Sequence, residues 1–473
     1  MILFLNDLTV NEFFHFETFL HSPYFSRVRN IKLLFDYIKP FYPNIKPEHI
    51  SYESISNNVL NENKVNKIKI RKLISDFSKL IESYLLQVEM ENDRDHNKFL
   101  LLNALRKRGL AKRFNSELRT FLESKGKTFS KDDNYYLTDI NVYDSIFYFN
   151  FSNFKLKFAD ILQSKSDSID HLFLFLKLHI FNEMMENEAG RDLKFNKKFF
   201  NEVINYVREN KKEISSNHPN IYVIYLVVLM NMSGDDLYVE ELKRYLKSNE
   251  NKLDMNKLNY YYHYIRAYYV VKINSGKIQY REDLFEIFKL MNKKRLFIID
   301  NTITDMEFNS VVNTVLALKE YKWVNNFIEE YKEYLHPDFA NDSYNLSVSK
   351  LLYHKKDFDG VFEHLNKVEF KDPFYYYNSK FLLARVHYDT KNYMGVTYIT
   401  ENLKQYSRFN KFLKSDQKSV IKVFNKYMNE LLRLTEMNLK KRGSMKTVLR
   451  KQIENEKTLV TNVNWFYEKI DKL

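Results

Sequence analysis

The chain has 473 residues and is 44% hydrophobic and 16% aromatic, with only 8 Gly and 7 Pro. This composition is too apolar for a disordered protein and too poor in turn-forming residues for a fold with many β-strands. Cys is absent, which excludes disulfides, thiolate metal sites and a Cys nucleophile. Apolar residues recur at three- and four-residue spacing along nearly the whole chain, so we predict an all-α protein.

The net charge of +13 is unevenly distributed along the chain. Residues 1–90 contain 11 basic and 10 acidic residues, whereas residues 411–473 contain 15 basic and 7 acidic residues. If a polyanion is bound by charge alone, we therefore expect it at the C-terminal end. We predict that residues 411–473 form a basic C-terminal helical cap, with these apolar residues on its inner face: Met445, Leu449, Ile453, Leu459, Val463 and Ile470.

Nothing in the sequence indicates a membrane protein. The start of the chain, Met1 to Asp7, has no basic segment of the kind that a signal peptide has. The longest apolar run, Ile221 to Met232, is too short to cross a bilayer. We predict a cytoplasmic location and no contact with a membrane.

Residues 1–92 are predicted to form an N-terminal four-helix unit. Thr9 can cap a helix that runs to Leu20, and Glu12 completes a capping box. Helices are expected from 31 to 38 and from 51 to 60. The fourth runs from 65 to 88 and carries one broad apolar stripe: Val65, Ile68, Leu73, Ile74, Phe77, Leu80, Ile81, Tyr84, Leu85 and Val88.

Basic residues crowd the start of this fourth helix. Residues 51–88 resemble the helix-turn-helix part of bacterial activators that join a winged helix to tetratricopeptide repeats. The resemblance implies that residues 51–75 bind DNA, with four candidate contacts: Lys64, Lys67, Arg71 and Lys72. The alternative, which we favour, is a basic helix end on a packed bundle. Ile68 and Leu73 are expected to face the core, and no strands for a wing are visible.

An internal repeat lies near the C-terminal end of residues 93–410. In residues 382–396, Leu383 and Ala384, Tyr393 and Val396 lie where the tetratricopeptide repeat has its Leu-Gly pair, its turn aromatic and a small packing residue. Two earlier copies, at intervals of about 35 and 37 residues, contain Val348, Ser349, Leu352, Phe358, Val361, Leu365, Val368 and Pro373, and Val311, Val315, Tyr321, Val324 and Ile328.

The repeats are diverged copies of the tetratricopeptide repeat, because the Leu-Gly pair is never intact and Val replaces the usual Ala. The resemblance implies a right-handed α-solenoid over residues 93–410, clearest at 305–409, with further helical pairs near 219–247 and 256–293. Separately, Leu8-Thr9 followed by residues 21–25, His-Ser-Pro-Tyr-Phe, is similar to helical proteins of Bacteroidetes-type bacteria. That similarity implies no function.

The first helix of each pair would form the concave face of such a solenoid. Asn side chains can bond a peptide backbone, Lys and Arg can bind a carboxylate, and Tyr offers a rigid contact. The alternative is an ordinary solvated face. The candidates for a peptide groove are Asn309, Asn313, Lys350, Tyr353, Asn378, Arg385 and Tyr388.

No pattern in the sequence indicates catalysis. We find no defensible glycine-rich phosphate loop, nucleophile elbow or set of carboxylates, and the 12 His are scattered. We therefore predict a protein that is not an enzyme, has no cofactor or metal, and binds a protein or peptide as a scaffold or adaptor. The alternative is a DNA-binding regulator whose solenoid is a sensor; nucleic acid is not the favoured partner.

Overall fold

A computed structural model shows that the chain is all-helical, as predicted. It describes residues 1–25, 28–62, 64–125, 129, 131–153, 158–190, 193–253, 255–299, 301–370, 372–456 and 459–473. Within these ranges there are α-helices α1 to α24 and no β-strand beyond two isolated bridges. The chain forms two compact units, Met1–Lys177 and Leu178–Leu473.

The first unit contains α1 to α8 and the start of α9. The helices are α1 Ile2–Asp7, α2 Val10–His21, α3 Arg29–Ile38, α4 Tyr52–Ile55, α5 Lys67–Asn92, α6 Arg94–Lys107, α7 Ala111–Lys125, α8 Asp133–Asn153 and α9 Phe158–Gly190. Short 3₁₀ turns cover Lys39–Phe41 and Pro47–Ile50, and one π-helical turn covers Ser56–Leu60.

An aromatic core holds α2, α3 and α5 together. Phe16 lies at its centre, with ring centroids 5.7 Å from Phe35 and 5.8 Å from Phe77, both in edge-to-face geometry. The predicted capping box of α2 is confirmed, since the Thr9 hydroxyl accepts from the Glu12 amide and Glu12 accepts from the Thr9 amide. The capping box satisfies two backbone N–H groups at the start of α2.

The second unit contains the remainder of the helices. They are α10 Phe200–Glu209, α11 Lys211–Asn217, α12 Pro219–Ser233, α13 Asp236–Asn249, α14 Met255–Asn274, α15 Tyr280–Lys293, α16 Asp305–Ala317, α17 Tyr321–Tyr331, α18 Pro337–His354, α19 Phe358–Leu365, α20 Pro373–Asp389, α21 Tyr393–Phe409, α22 Ser415–Glu436, α23 Leu439–Asn455 and α24 Val463–Lys472. Further 3₁₀ turns cover Glu250–Lys252 and Lys332–Tyr334.

Helices α12 to α21 form five consecutive pairs. Each even-numbered helix packs against the odd-numbered helix that follows it, and each odd-numbered helix packs against the next even-numbered one. The even-numbered helices are called first helices below, and the odd-numbered ones second helices. First helices also contact one another, as in α12 with α14, α16 with α18 and α18 with α20. The helices predicted near 219–247, 256–293 and 305–409 are all present.

The turns inside the last three pairs have the same geometry. Lys319, Lys356 and Lys391 have φ of 64°, 62° and 60°, in the left-handed region. After each of them, a backbone N–H reaches back five residues to close the end of the first helix, from residues 320, 357 and 392 to the carbonyls of 315, 352 and 387. This is the Schellman arrangement, here built on Lys instead of Gly.

Tyrosine hydroxyls join neighbouring helices of the second unit. Tyr268 donates to the Asp236 carboxylate at 2.7 Å, and Tyr280 donates to the other oxygen of the same group at 2.6 Å. Tyr245 donates to the Ser215 carbonyl at 2.7 Å. Each hydroxyl satisfies a polar atom near a helix end, while the ring of Tyr268 is buried and the rings of Tyr245 and Tyr280 are half-buried.

The C-terminal cap, residues 411–473, contains three helices, α22, α23 and α24. Instead of one capping helix after α22, two helices, α23 and α24, are separated by a turn in which Asn462 has φ of 59°. Leu449, Ile453 and Ile470 are buried as expected, but Leu459 lies in the turn and is 39% exposed. No helix in the described ranges has both the length and the apolar character that crossing a bilayer requires.

Candidate functional site

A groove of about 480 Å³ lies on the first helices α14 and α16. Its volume falls in the range of roughly 300–1,000 Å³ that is usual for ligand sites in proteins. Apolar and polar side chains share its wall. The lining residues are Val270, Ile273, Asn274, Leu284, Asp305, Met306, Asn309, Ser310, Asn313, Thr314 and Phe374.

A chain of hydrogen bonds behind the groove connects three first helices. Asn309 Nδ2 donates to Ser343 Oγ at 3.4 Å, and the Ser343 and Tyr375 hydroxyls are 2.6 Å apart. Tyr375 in turn donates to Asp305 Oδ2 at 2.9 Å. Burial and the Asp305 carboxylate both raise the pKa of Tyr375. The hydroxyl therefore remains a donor and holds the Asp305 carboxylate at the groove.

The groove contains two of the seven predicted peptide contacts. Asn313 is exposed and offers both an amide donor and a carbonyl acceptor. Asn309 is only 3% exposed, and its Oδ1 has no hydrogen-bond donor among the described residues. Asn378, half-buried on α20, is directed to its own helix, because its Nδ2 donates to the Phe374 carbonyl at 2.9 Å.

Arg385 and Tyr388 contact the C-terminal helix α24 or its cap instead, and Tyr353 packs against Arg385. Arg385 Nη1 donates to Asn462 Oδ1 at 3.0 Å, and the rings of Tyr388 and Trp465 have centroids 5.5 Å apart. The Arg385 guanidinium also lies 4.2 Å from the Tyr353 ring centroid. These three side chains are buried, so the chain's own C-terminal helix covers this part of the predicted groove.

An acidic side chain at the same place is already engaged. Asp389 accepts from the Tyr353 hydroxyl at 2.5 Å and forms an ion pair with Lys469 Nζ at 2.7 Å. It is thus shared between α18, α20 and α24. This ion pair, together with the ring contact of Trp465, fixes α24 against α20.

Lys350, the remaining groove candidate, is a cation without a carboxylate partner among the described residues. It is half-buried on α18, and burial followed by the nearby Arg385 charge lowers its pKa to about 7. His354, one turn further along α18, shows the same effect: burial and then Arg385 lower its pKa to about 4. The positive charge of Arg385 therefore disfavours further protons here.

The four nucleic-acid candidates are on the surface of the first unit. Lys64, Lys67, Arg71 and Lys72 are all exposed. Arg71 Nε donates to the Tyr52 hydroxyl at 2.9 Å, which raises the pKa of the guanidinium, and Lys67 Nζ lies 5.8 Å from the Tyr52 ring centroid. Tyr52 begins α4, so it links the two predicted parts of the helix-turn-helix.

One expectation for this helix is wrong. Ile68 is 82% exposed, although the apolar stripe placed it in the core, whereas Ile70 and Leu73 are buried. The helix begins only at Lys67, with Asn66 as its cap, so Ile68 lies in a first turn that extends beyond the core. This end of the helix therefore presents an isoleucine and several basic residues to solvent.

A set of possible metal ligands in the first unit is only partly free. Glu17, His21 and Asp36 have ligand atoms within 4.8 Å of one another. Both Glu17 oxygens accept from Lys39 Nζ at 2.7 Å, however, and His21 and Asp36 are exposed. A protein-bound Zn²⁺ usually has at least three protein ligands. Because Glu17 is already paired with Lys39, only His21 and Asp36 remain, and these two residues do not suffice for a metal centre.

Sequence reasoning missed Asp305 and Phe374 in the groove, and Asn462, Trp465 and Lys469 where the C-terminal helix covers α20. Asp305 stands directly after the helix cap Thr304, so its sequence position indicated only a helix start. The partners of the other residues are far away in the chain, and no local spacing could indicate them. A comparison of the chain with family models, curated proteins and solved structures finds no match.

Proposed function

We propose that the second unit is a tetratricopeptide-like, right-handed α-solenoid that binds a protein or peptide on its concave face. The order of helix contacts supports this, because every pair packs on the next through its second helix, and three of the four junctions also join first helices: α12 with α14, α16 with α18 and α18 with α20. The repeated left-handed turns at Lys319, Lys356 and Lys391 support it as well. In such arrays the first helices form the concave surface. We infer a cytoplasmic scaffold that catalyses no reaction and needs no cofactor.

The observation that carries the proposal is the groove on α14 and α16. Amide and hydroxyl groups of Asn274, Ser310, Asn313 and Thr314 lie beside an apolar wall. Such groups can bond the N–H and C=O groups of an extended peptide, and the apolar wall can take a side chain. The region near α24 is less suited to a partner, since Arg385 and Tyr388 are already in contact with that helix.

The test is a selection of random heptapeptides, displayed on phage, against the immobilised full chain. Asn313→Trp should abolish binding of the selected peptides, because Asn313 is exposed and a large ring there would fill the groove. Asn326→Trp, at an exposed position on the second helix α17, is the matched control and should leave binding unchanged. No selected peptides, or equal binding by both variants, would reject the proposal.

A second candidate function is supported by the exposure of Lys64, Lys67, Arg71 and Lys72. We infer that the first unit could serve a DNA-binding regulator, in which residues 51–75 contact duplex DNA. Binding to random duplex should weaken as salt rises, and the slope of log K against log salt should fall by about 0.9 for each phosphate contact removed. The double variant Lys67→Glu with Arg71→Glu should weaken DNA binding and reduce this slope. Lys79→Glu, which lies outside residues 51–75, should change neither. Absence of binding at low salt would exclude this function.

A further inference from the structure

We propose that the groove on α14 and α16 binds a lysine or arginine side chain from an extended segment of the partner. The inference rests on the proposed peptide-binding function and specifies the chemistry that the groove recognises. It is argued from the charge of the groove, from its unpaired acceptors and from its apolar wall.

The charge of the groove is opposite to that of the chain. Asp305 is the only ionisable residue among the lining residues, and no Lys, Arg or His is among them. The whole chain has a net charge of +13. A basic ligand is therefore repelled by most of the protein and attracted locally at Asp305, which favours this site over non-specific binding.

The acceptors of the groove lack enough donors. Asp305 Oδ2 accepts from the Tyr375 hydroxyl at 2.9 Å, but no basic side chain in the described ranges pairs with this carboxylate. Asn309 Oδ1 is buried without a donor. An ammonium group offers three donors and a guanidinium offers five, so either can pair with the half-buried Asp305 carboxylate. A carboxylate ligand would be repelled by Asp305 and would add acceptors instead.

The apolar wall fits the remainder of a basic side chain. Val270, Ile273 and Leu284 line the groove together with Met306 and Phe374. Lysine and arginine have methylene stems that pack against apolar surface while the charged end reaches a polar group. A purely apolar side chain would fit this wall but would cover Asp305 and Asn309 without pairing them, which is unfavourable.

The experiment repeats the peptide selection with variants of the groove. Wild type should enrich Lys or Arg at one position several-fold over the starting library. Asp305→Asn, which keeps the shape and can still accept from Tyr375, should return that position to the library frequency. Asp359→Asn is the control, since it removes the same charge from an exposed position on the second helix α19. Asn313→Asp adds a carboxylate to the groove and should strengthen the enrichment.

One selected peptide is then synthesised with lysine or with norleucine at the enriched position. Wild type should bind the lysine peptide about tenfold more tightly, and Asp305→Asn should bind the two equally. Tryptophan fluorescence and circular dichroism confirm that the variant is folded. If wild type selects no peptide, the proposed function itself fails. If peptides are selected and blocked by Asn313→Trp, yet show no basic preference or no dependence on Asp305, only this inference is overturned.

Discussion

Replacing Lys350 with Met should stabilise the second unit, because it removes a half-buried positive charge that has no carboxylate partner in the described chain. Burial and Arg385 lower the pKa of Lys350 from 10.5 to about 7. One pKa unit corresponds to roughly 1.4 kcal/mol, so the charged lysine costs at most about 5 kcal/mol. The side chain is partly solvated, and screening reduces this figure. We therefore expect a gain of about 1–2 kcal/mol at pH 6.5, since Met has similar length and no charge.

The sign of the pH dependence follows from the lowered pKa. The unfolded lysine takes up a proton below pH 10.5, whereas the folded lysine takes it up only near pH 7. The cost to wild type thus grows as the pH falls through this window and is constant below it. The advantage of Lys350→Met over wild type should be largest at pH 6.5 and should shrink to less than half by pH 10.5.

Urea unfolding followed by tryptophan fluorescence measures this effect in the relevant unit. The chain has only two Trp, Trp323 and Trp465, and both lie in the second unit. Lys355→Met, at the exposed neighbouring cap position, is the control and should change stability little. Lack of any gain at pH 6.5, or a gain that persists unchanged at pH 10.5, would refute the argument from charge.

Three further predictions concern stability, each checked by the midpoint of urea unfolding. Lys356→Gly should stabilise by roughly 0.5–1 kcal/mol, because Gly adopts φ of 62° without steric cost, whereas Lys355→Gly, at φ of −80°, should destabilise. Arg266→Met should cost about 3 kcal/mol by leaving the half-buried Glu307 unpaired, and adding Glu307→Leu should recover much of this loss. Thr9→Ala removes the capping box of α2 and should lower the free energy of unfolding by about 1 kcal/mol, with urea unfolding followed by circular dichroism. A loss smaller than that caused by Glu12→Ala would contradict this prediction.

The helical pairs could be predicted because each depends on local spacing. Tyr393 is predicted as the turn aromatic of the repeat, and it is the first residue of a second helix, as are Tyr321 and Phe358 of the two earlier copies. The left-handed Lys two residues before each of them carried a detectable signal as well, since Lys recurs at 319, 356 and 391. Gly is the usual residue at such positions, so a Lys there does not by itself indicate a left-handed turn.

The candidate site was only partly predictable because its contacts are long-range. Asn309 and Asn313 were found from the period of the repeat, but Asp305 is held at the groove by Tyr375, 70 residues later. Arg385 meets Asn462 across 77 residues. No periodic pattern indicates that α24 returns to α20, so the sequence alone places Arg385 and Tyr388 in an open groove.

The burial of the tyrosines whose hydroxyls join helices also affects their reactivity toward tyrosine-modifying reagents. Nitration and iodination act on the phenolate, and burial raises the pKa of Tyr245 and Tyr268, so both remain phenols well into alkaline solution. Tyr24 and Tyr398, by contrast, are 86% and 67% exposed. A tyrosine-selective label would therefore react first with Tyr24 and Tyr398. It would react with Tyr245 and Tyr268 only after their helices separate.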